Sequence, residues 1–255
     1  MKKTIIAAGI ATLLTASVQA DTLLGLYIGG HMWANQADGS FGEGQGIDNQ
    51  AQFDFDDESQ GSFFVALEHP IPLIPNIKIA STTLDTSGNA TISSSFTFEG
   101  ETYNANSILD TTFDLSYVDY TFYYELLDND LLTFDVGITA RDLDSQINVV
   151  GDISGTETSS DLSVSGIIPL VYVNTIIGLP FTGFNVFAEA NFLSLDDSTL
   201  YDYQIGVSYE LVDNLAVDLD LTLGYRAVKL ELNDIDDLYS DLTFNGVFAG
   251  AIVHF

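Results

Sequence analysis

Between Leu200 and Lys229 the residues Asp202, Glu210, Asp218, Asp220 and Arg226 alternate with apolar ones, so an extended chain collects them on one face. The same alternation assigns Glu68, Lys78, Asp119, Glu125, Asp135, Arg141 and Glu189 to an inward face elsewhere in the chain. Enclosed, such a face can do one of two things. Its charges pair and hydrogen-bond into a polar filling, or they line a water-filled passage whose excess of acids favours cations. A second group of carboxylates, Asp54, Asp56, Asp57 and Glu58 together with Asp234, Asp236 and Asp237, lies outside the alternating stretches. Crowded carboxylates are hard oxygen donors of the kind calcium or magnesium takes. The run from Asp54 to Ser59 lacks the glycine that an EF-hand loop carries at its sixth place, which leaves a solvated acidic face or weakly bound calcium (Ca2+) as the two readings. Acid–base catalysis would need a histidine beside an acid. His69 falls in a turn, and His254 sits beside the last residue. His31 shares a face with Tyr27 and Trp33 near the outer rim and has no Ser or Asp partner motif, so a place in an aromatic cluster is expected and enzymatic activity is not.

Strands must position these faces. In the first half of the Leu200–Lys229 stretch, Tyr201, Tyr203, Ile205, Val207, Tyr209 and Leu211 form the opposite, apolar face. In the second half Val217, Leu219, Leu221, Leu223, Tyr225 and Ala227 do the same, with Asp213-Asn214 as the turn. Each run is about as long as the roughly 9–11 residues a tilted strand needs to cross a bilayer. Ten segments carry strand signals, near 22–34, 61–69, 76–84, 112–126, 131–142, 163–176, 183–194, 199–211, 215–231 and 243–255; eight is the alternative count. Connections at 70–75, 127–130, 177–182 and 212–214 are short. Those at 35–60, 85–111, 143–162 and 232–242 are long and acidic, and 195–198 alone departs from the long class. A bacterial outer-membrane barrel has this asymmetry, with short turns in the periplasm and long loops outside. A sheet with lipid on one face must also close, because an open edge leaves unpaired backbone groups in hydrocarbon. The expected architecture is all-β: a closed antiparallel transmembrane β-barrel of about ten strands with short periplasmic turns and long acidic extracellular loops. Tyr124, Tyr209 and Phe255 at one set of strand ends, with Tyr201, Tyr203 and Tyr225 at the other, supply the expected aromatic girdles.

The chain's start and composition fit this. Met1 to Ala20 reads as an export signal, with Lys2 and Lys3 as the basic start, Ile5 to Leu14 as the apolar stretch and Val18-Gln19-Ala20 as the cleavage site. The rest, Asp21 to Phe255, has no low-complexity linker and reads as one domain. Cysteine is absent, so disulfides and thiolate metal sites are excluded. With 37 acidic against 6 basic residues the net charge is −31, and nucleic acid is not an expected partner, whereas cations and basic partners are.

The last strand places Val247, Ala249, Ala251, Val253 and Phe255 on one face and ends in an aromatic carboxylate. Val253 and Phe255 are similar to the C-terminal signal by which bacterial outer-membrane proteins are read by their insertion machinery. The segment Val65 to Lys78, with its Glu68-His-Pro-Ile-Pro-Leu-Ile-Pro75 turn, and the segment Asp21 to Tyr27 resemble a gammaproteobacterial family of outer-membrane β-barrel proteins of unassigned function. That resemblance implies a fold and a location over the whole chain, and brings no catalytic or ligand residues. The expected partners are outer-membrane lipid, lipopolysaccharide and the insertion machinery, with divalent cations at the loops. The expected function is a surface or envelope-structural role without enzymatic activity; a narrow cation-selective pore is the alternative, and a lipid or peptide hydrolase stands behind both.

Overall fold

The computed structural model describes residues 24–43, 50–129, 131–195, 197–214, 217–235 and 238–255, the side chains of 234 and 235 excepted. The export segment expected at 1–20 lies outside the described residues. The strands are β1 (Gly25–Glu43), β2 (Ala51–Phe55), β3 (Glu58–Glu68), β4 (Asn76–Thr82), β5 (Asp85–Thr91), β6 (Phe96–Phe98), β7 (Glu101–Tyr103), β8 (Ile108–Asp114), β9 (Tyr117–Asn129), β10 (Leu132–Ile153), β11 (Thr156–Leu179), β12 (Phe184–Leu195), β13 (Ser198–Val212), β14 (Asp218–Ile235) and β15 (Leu238–His254).

Ten of them, β1, β3, β4 and β9 through β15, close into an antiparallel ring in which β1 pairs with both β3 and β15. Each of the ten strands expected from the sequence has its counterpart in this ring, and the count of eight is excluded. Partners traced from Asp38 through Thr243, Lys229, Tyr201, Phe192, Val171, Ile138, Phe122, Ile77 and Leu67 lead back to Leu26. The ring therefore closes with a stagger from residue 38 to residue 26 on the same strand, which tilts its strands by roughly 40° from the barrel axis. Side chains pointing away from the axis form an apolar belt: Ile28 and Met32 on β1, Phe63 on β3, Phe122 on β9, Ile138 on β10, Ile205 on β13, Leu223 on β14 and Val247 on β15 are each more than one-third exposed. Such a belt is stable only against a non-aqueous solvent, and it is this belt that makes the fold a transmembrane one. Short turns gather at one end of the barrel, where the prolines at 70, 72 and 75 fill the β3–β4 connection, and the long connections gather at the other.

The long connections are themselves ordered. Above the belt, β3, β4 and β9 stop, and β2, β5 and β8 bridge β1 to β10 in their place. β10 and β11 continue as a single hairpin to a two-residue turn at Ser154 and Gly155, both with positive φ (56° and 86°), the pairing that matches strand twist. These strands do not read as membrane strands because their pattern is reversed. In β2, Ala51, Phe53 and Phe55 are buried while Gln52 and Asp54 are exposed; in β8, Leu109 and Phe113 are buried while Asp110 and Asp114 are exposed. The buried side chains form an aromatic core around Phe41, which stacks on Phe53 at 4.7 Å and meets Phe113 edge-on at 4.8 Å. The β6–β7 hairpin, turning at Glu99-Gly100, packs Phe96, Phe98 and Tyr103 into that core. Its tip is tied by the Glu99 N–H, which donates to Glu43 on β1, and its base by the Tyr103 hydroxyl, hydrogen-bonded to Ser160 on β11.

Candidate functional site

The inward face of the belt region carries the charges. Asp119 on β9 and Arg141 on β10 are register partners, and the guanidinium grips the carboxylate with two bonds, Nε to Oδ1 at 2.8 Å and Nη2 to Oδ2 at 2.7 Å. Arg141 also reaches across the lumen to Asp202 on β13, at 2.8 Å. Arg226 on β14 holds the same carboxylate from the other side, with Nε at 2.9 Å from Oδ1 and Nη2 at 2.8 Å from Oδ2. The Tyr117 hydroxyl donates to Asp202 at 2.5 Å and accepts from Arg226 at 2.8 Å, while its ring lies 3.5 Å below the Arg141 guanidinium. Two arginines and two aspartates thus share one buried network; Arg141 is 1 % exposed. Fork geometry of this kind suits guanidinium and carboxylate groups out of water, where an unpaired charge would be costly.

Toward the turn end the filling continues. Lys78 pairs with Glu189 at 2.5 Å, Glu189 also accepts from Tyr172 and Gln204, and Thr139 donates to Asn191. A cavity of about 40 Å³, lined by His31, Ser62, Lys78, Glu189, Gln204 and Arg226 among others, remains between the two clusters. That is room for one or a few waters. Lower still, Asp135 accepts from Asn174 at 2.8 Å, Glu68 from the Tyr123 hydroxyl at 2.7 Å and Glu125 from Asn76 at 3.2 Å. The charged residues expected inside thus separate into four levels. Asp119, Arg141, Asp202 and Arg226 meet in the central network, and Glu189 joins Lys78 beneath it. Asp135 lies nearer the turns, and Asp218, Asp220 and Glu210 stand at the turn-end rim. Asp218 is 3.4 Å from His254, and Glu210 is exposed beside a bulge between residues 210 and 212 that breaks the alternation.

Tyr117 belongs to the network although composition and spacing did not single it out. Its position two residues before Asp119 puts it on the same face, and that is the signal a closer count would have used. His31 lies inside the barrel, not at the outer rim: its Nε2 is 3.3 Å from Arg226 and its ring packs against Phe248 at 4.8 Å. The reason is the long upward run of β1, which carries the strand from Gly25 to Glu43 and leaves residue 31 in mid-lumen.

The loop acids are dispersed. Asp54 points outward from β2, Asp56 accepts from Ser87 at 2.9 Å and Asp57 from Gln36 at 3.3 Å, and Glu58 opens β3. Among the described residues no three acidic or histidine side chains converge as a metal site. Asp236 and Asp237 lie outside the described residues, as does the side chain of Asp234. At the C-terminus the Phe255 backbone pairs with Leu26, at 3.0 and 3.3 Å, which seals the strand into the ring, and its side chain is exposed.

A closed ten-stranded ring with an apolar belt and a charged interior defines a β-barrel of the outer-membrane type. The chain matches no protein-family model and no curated protein. Among solved structures it is similar to the outer membrane protease OmpT from Escherichia coli, with a TM-score of 0.55 at 9 % identity over 94 % of this chain and 99 % of that one. Neisserial surface protein A gives a TM-score of 0.29 at 12 % identity over 90 % and 97 % of the two chains. The transport unit of the autotransporter AIDA-I from Escherichia coli gives 0.38 at 8 % identity over 97 % and 95 %. These neighbours are Gram-negative outer-membrane β-barrel proteins, and the likeness to OmpT is one of fold.

Proposed function

We propose that this chain resides in the bacterial outer membrane as a non-conducting, non-enzymatic barrel that acts through its loop end, in a surface or envelope-structural role. The observation that carries this reading is the double closure of the lumen. The Arg141–Asp119–Asp202–Arg226 network fills the middle of the barrel, and the aromatic core around Phe41 fills its loop end. An ion crossing the membrane by any route through the barrel would have to break the first, and one entering at the loop end would have to wet the second.

In this reading the export signal sends the chain across the inner membrane, Val253 and Phe255 present the terminal strand to the insertion machinery, and the apolar belt faces lipid with lipopolysaccharide at its outer rim. The short turns lie in the periplasm and the acidic tier lies outside. The resemblance to the gammaproteobacterial barrel family agrees with the same placement. The histidines support the absence of hydrolase chemistry. His31 faces Arg226 and Phe248, His69 Nδ1 accepts from the Ile71 N–H in a turn, and His254, which does have Asp218 beside it at 3.4 Å, has its ring taken up by the stack on Tyr27 at the turn end, away from the central network.

Purified protein in planar bilayers tests the reading. The expected record is flat at all applied potentials. Stable, reproducible conductance steps selective for cations would replace it with the narrow pore.

A further inference from the structure

β11 runs well past its second neighbour. It pairs with β10 along its whole length, but with β12 only from Leu179 to Val171. From Leu170 back to Thr156 its other edge meets no strand among the described residues. Pairing stops at Pro169, where the sheet with β12 would next require a donor. The β10 ladder passes through Ala140 and Pro169 unbroken, so the missing N–H of Pro169 belongs to the β12 side. Backbone groups alternate sides along a strand, and the N–H and C=O of Ser159, Asp161, Ser163, Ser165 and Ile167 therefore point out of the open edge.

Natural edge strands are usually blunted by charges, lysine above all, by proline, by bulges or by a covering segment. This one has no lysine and no register shift, and its one proline, Pro169, stands at the membrane end of the open stretch and leaves 159–167 unblunted. Midway along it the inward face is uncovered too: Val164 is 43 % exposed, and a Cβ placed on Gly166 would touch nothing within 4 Å, whereas nearer the tip Ser160 and Leu162 are covered by Tyr103 and the aromatic core. Its outward side carries Asp161 among Ser159, Ser163, Ser165 and Ile167. Asp161 borders a groove of about 420 Å³ on the outer face of β5, β8, β10 and β11 that also carries Glu58, Asp85 and Asp114.

We propose that the open edge of β11 takes up an extended basic segment of another protein by strand addition. The incoming strand would bond to the backbone between Ser159 and Ile167, turn its apolar side chains in over Val164 and Ile168, and turn lysines or arginines out toward Asp161 and the groove. A second copy of this chain is the poorer occupant, since each copy carries a net charge of −31 and would set Asp161 and its surroundings against their like. The inference is independent of whether the barrel conducts.

The test uses the full-length protein in detergent micelles and a labelled short peptide of alternating valine and lysine. Binding by fluorescence anisotropy is expected, with slowed amide exchange at Ser163, Ser165 and Ile167. A valine–glutamate peptide, and a valine–lysine peptide N-methylated on the amides of one edge, should each bind at least roughly tenfold more weakly. Ser165→Pro removes an outward donor while leaving the β10 ladder its bonds, and should weaken binding to a similar degree; Ser163→Ala, which keeps the backbone, should not. The N-methylated peptide makes the same test on unaltered protein should the proline variant fail to fold. Equal binding of the acidic peptide, no protection along 159–167, or protection that appears with protein concentration in the absence of peptide would each overturn the proposal, the last in favour of a dimer.

Discussion

Below Arg141, β10 turns Leu132, Phe134, Val136 and Ile138 outward and Thr133, Asp135, Gly137 and Thr139 inward; above it, Asp142, Asp144, Gln146 and Asn148 point outward and Leu143, Ile147 and Val149 inward. β14 reverses in the same way, from Leu223 and Tyr225 outside with Thr222 and Arg226 inside to Lys229 and Glu231 outside with Val228, Leu230 and Leu232 inside. No residue is inserted at either crossover, so the side-chain period continues and only its sign changes. The solvent sets that sign. Where lipid lies outside, apolar groups face out and the interior must be polar and internally paired; where water lies outside, the same ring folds as a soluble β-structure does, with its apolar groups inside. The two tiers therefore exclude water by opposite means. The lower one neutralises charge against charge, which is weak as a source of stability and severe when broken. The upper one buries aromatic area, each fully buried phenylalanine contributing about 1.5–3 kcal/mol.

The sharpest way to separate the tiers is to break each with one truncation. Arg141→Ala leaves Asp119 without its bidentate partner and Asp202 with one arginine in place of two. Its expected cost is about 3–5 kcal/mol, felt by the whole barrel, and read as a lower urea midpoint in micelles and loss of the heat-resistant band on gels. Adding Asp119→Leu to Arg141→Met should recover most of that loss, since a matched apolar pair carries no stranded charge. Phe41→Ala, in contrast, removes a side chain that is 0 % exposed and touches Phe53, Phe96, Phe98 and Phe113. Its cost should sit toward the lower end of about 3–5 kcal/mol and stay local, releasing the segment from β2 to β8 to limited proteolysis while the ten-stranded ring keeps its gel mobility. Equal global destabilisation by both variants would show that the tiers fold as one unit.

The same contrast explains what the sequence made legible. The ring of ten and its lumen were readable because the lower pattern answers a question already posed by an apolar hairpin of bilayer length: Tyr203, Ile205 and Val207 outward, Asp202, Gln204 and Ser208 inward. The upper tier reads as connection in the sequence because β2, β5 and β8 are each 7 residues or shorter and carry the opposite sign, with aspartates where lipid-facing residues would be. Alternation at Phe53-Asp54-Phe55 and Leu109-Asp110-Thr111 was present all along, but it matched a soluble strand and not a membrane one. The central network was half visible. Register can be counted along one strand, which places Asp119 and Arg141 inside; that Arg141 spans to Asp202 depends on barrel radius and strand stagger, which no single segment encodes. The open edge of β11 was invisible for a similar reason, since it exists only because β12 ends three residues beyond Phe192 while β11 continues.

The smallest effects locate the crossover itself. Lysine placed singly at the outward positions of β10 should cost most at Ile138, which is 63 % exposed on the apolar belt, and where a basic residue near the middle of a bilayer costs about 2–4 kcal/mol. At Ala140 the cost should fall to about 0–1 kcal/mol as the interface is reached. At Asp144 and Asn148, already in water, it should lie within about ±0.5 kcal/mol. The measurement is the unfolding free energy of each variant in lipid vesicles, compared with the same series in detergent, where the penalty at Ile138 should shrink. A gradient that ends between Ala140 and Asp144 would fix the boundary at the residue where the buried pattern turns from Arg141 to Leu143. A penalty that persists at Asn148 would place lipid against the upper tier and remove the physical reason for its inverted alternation.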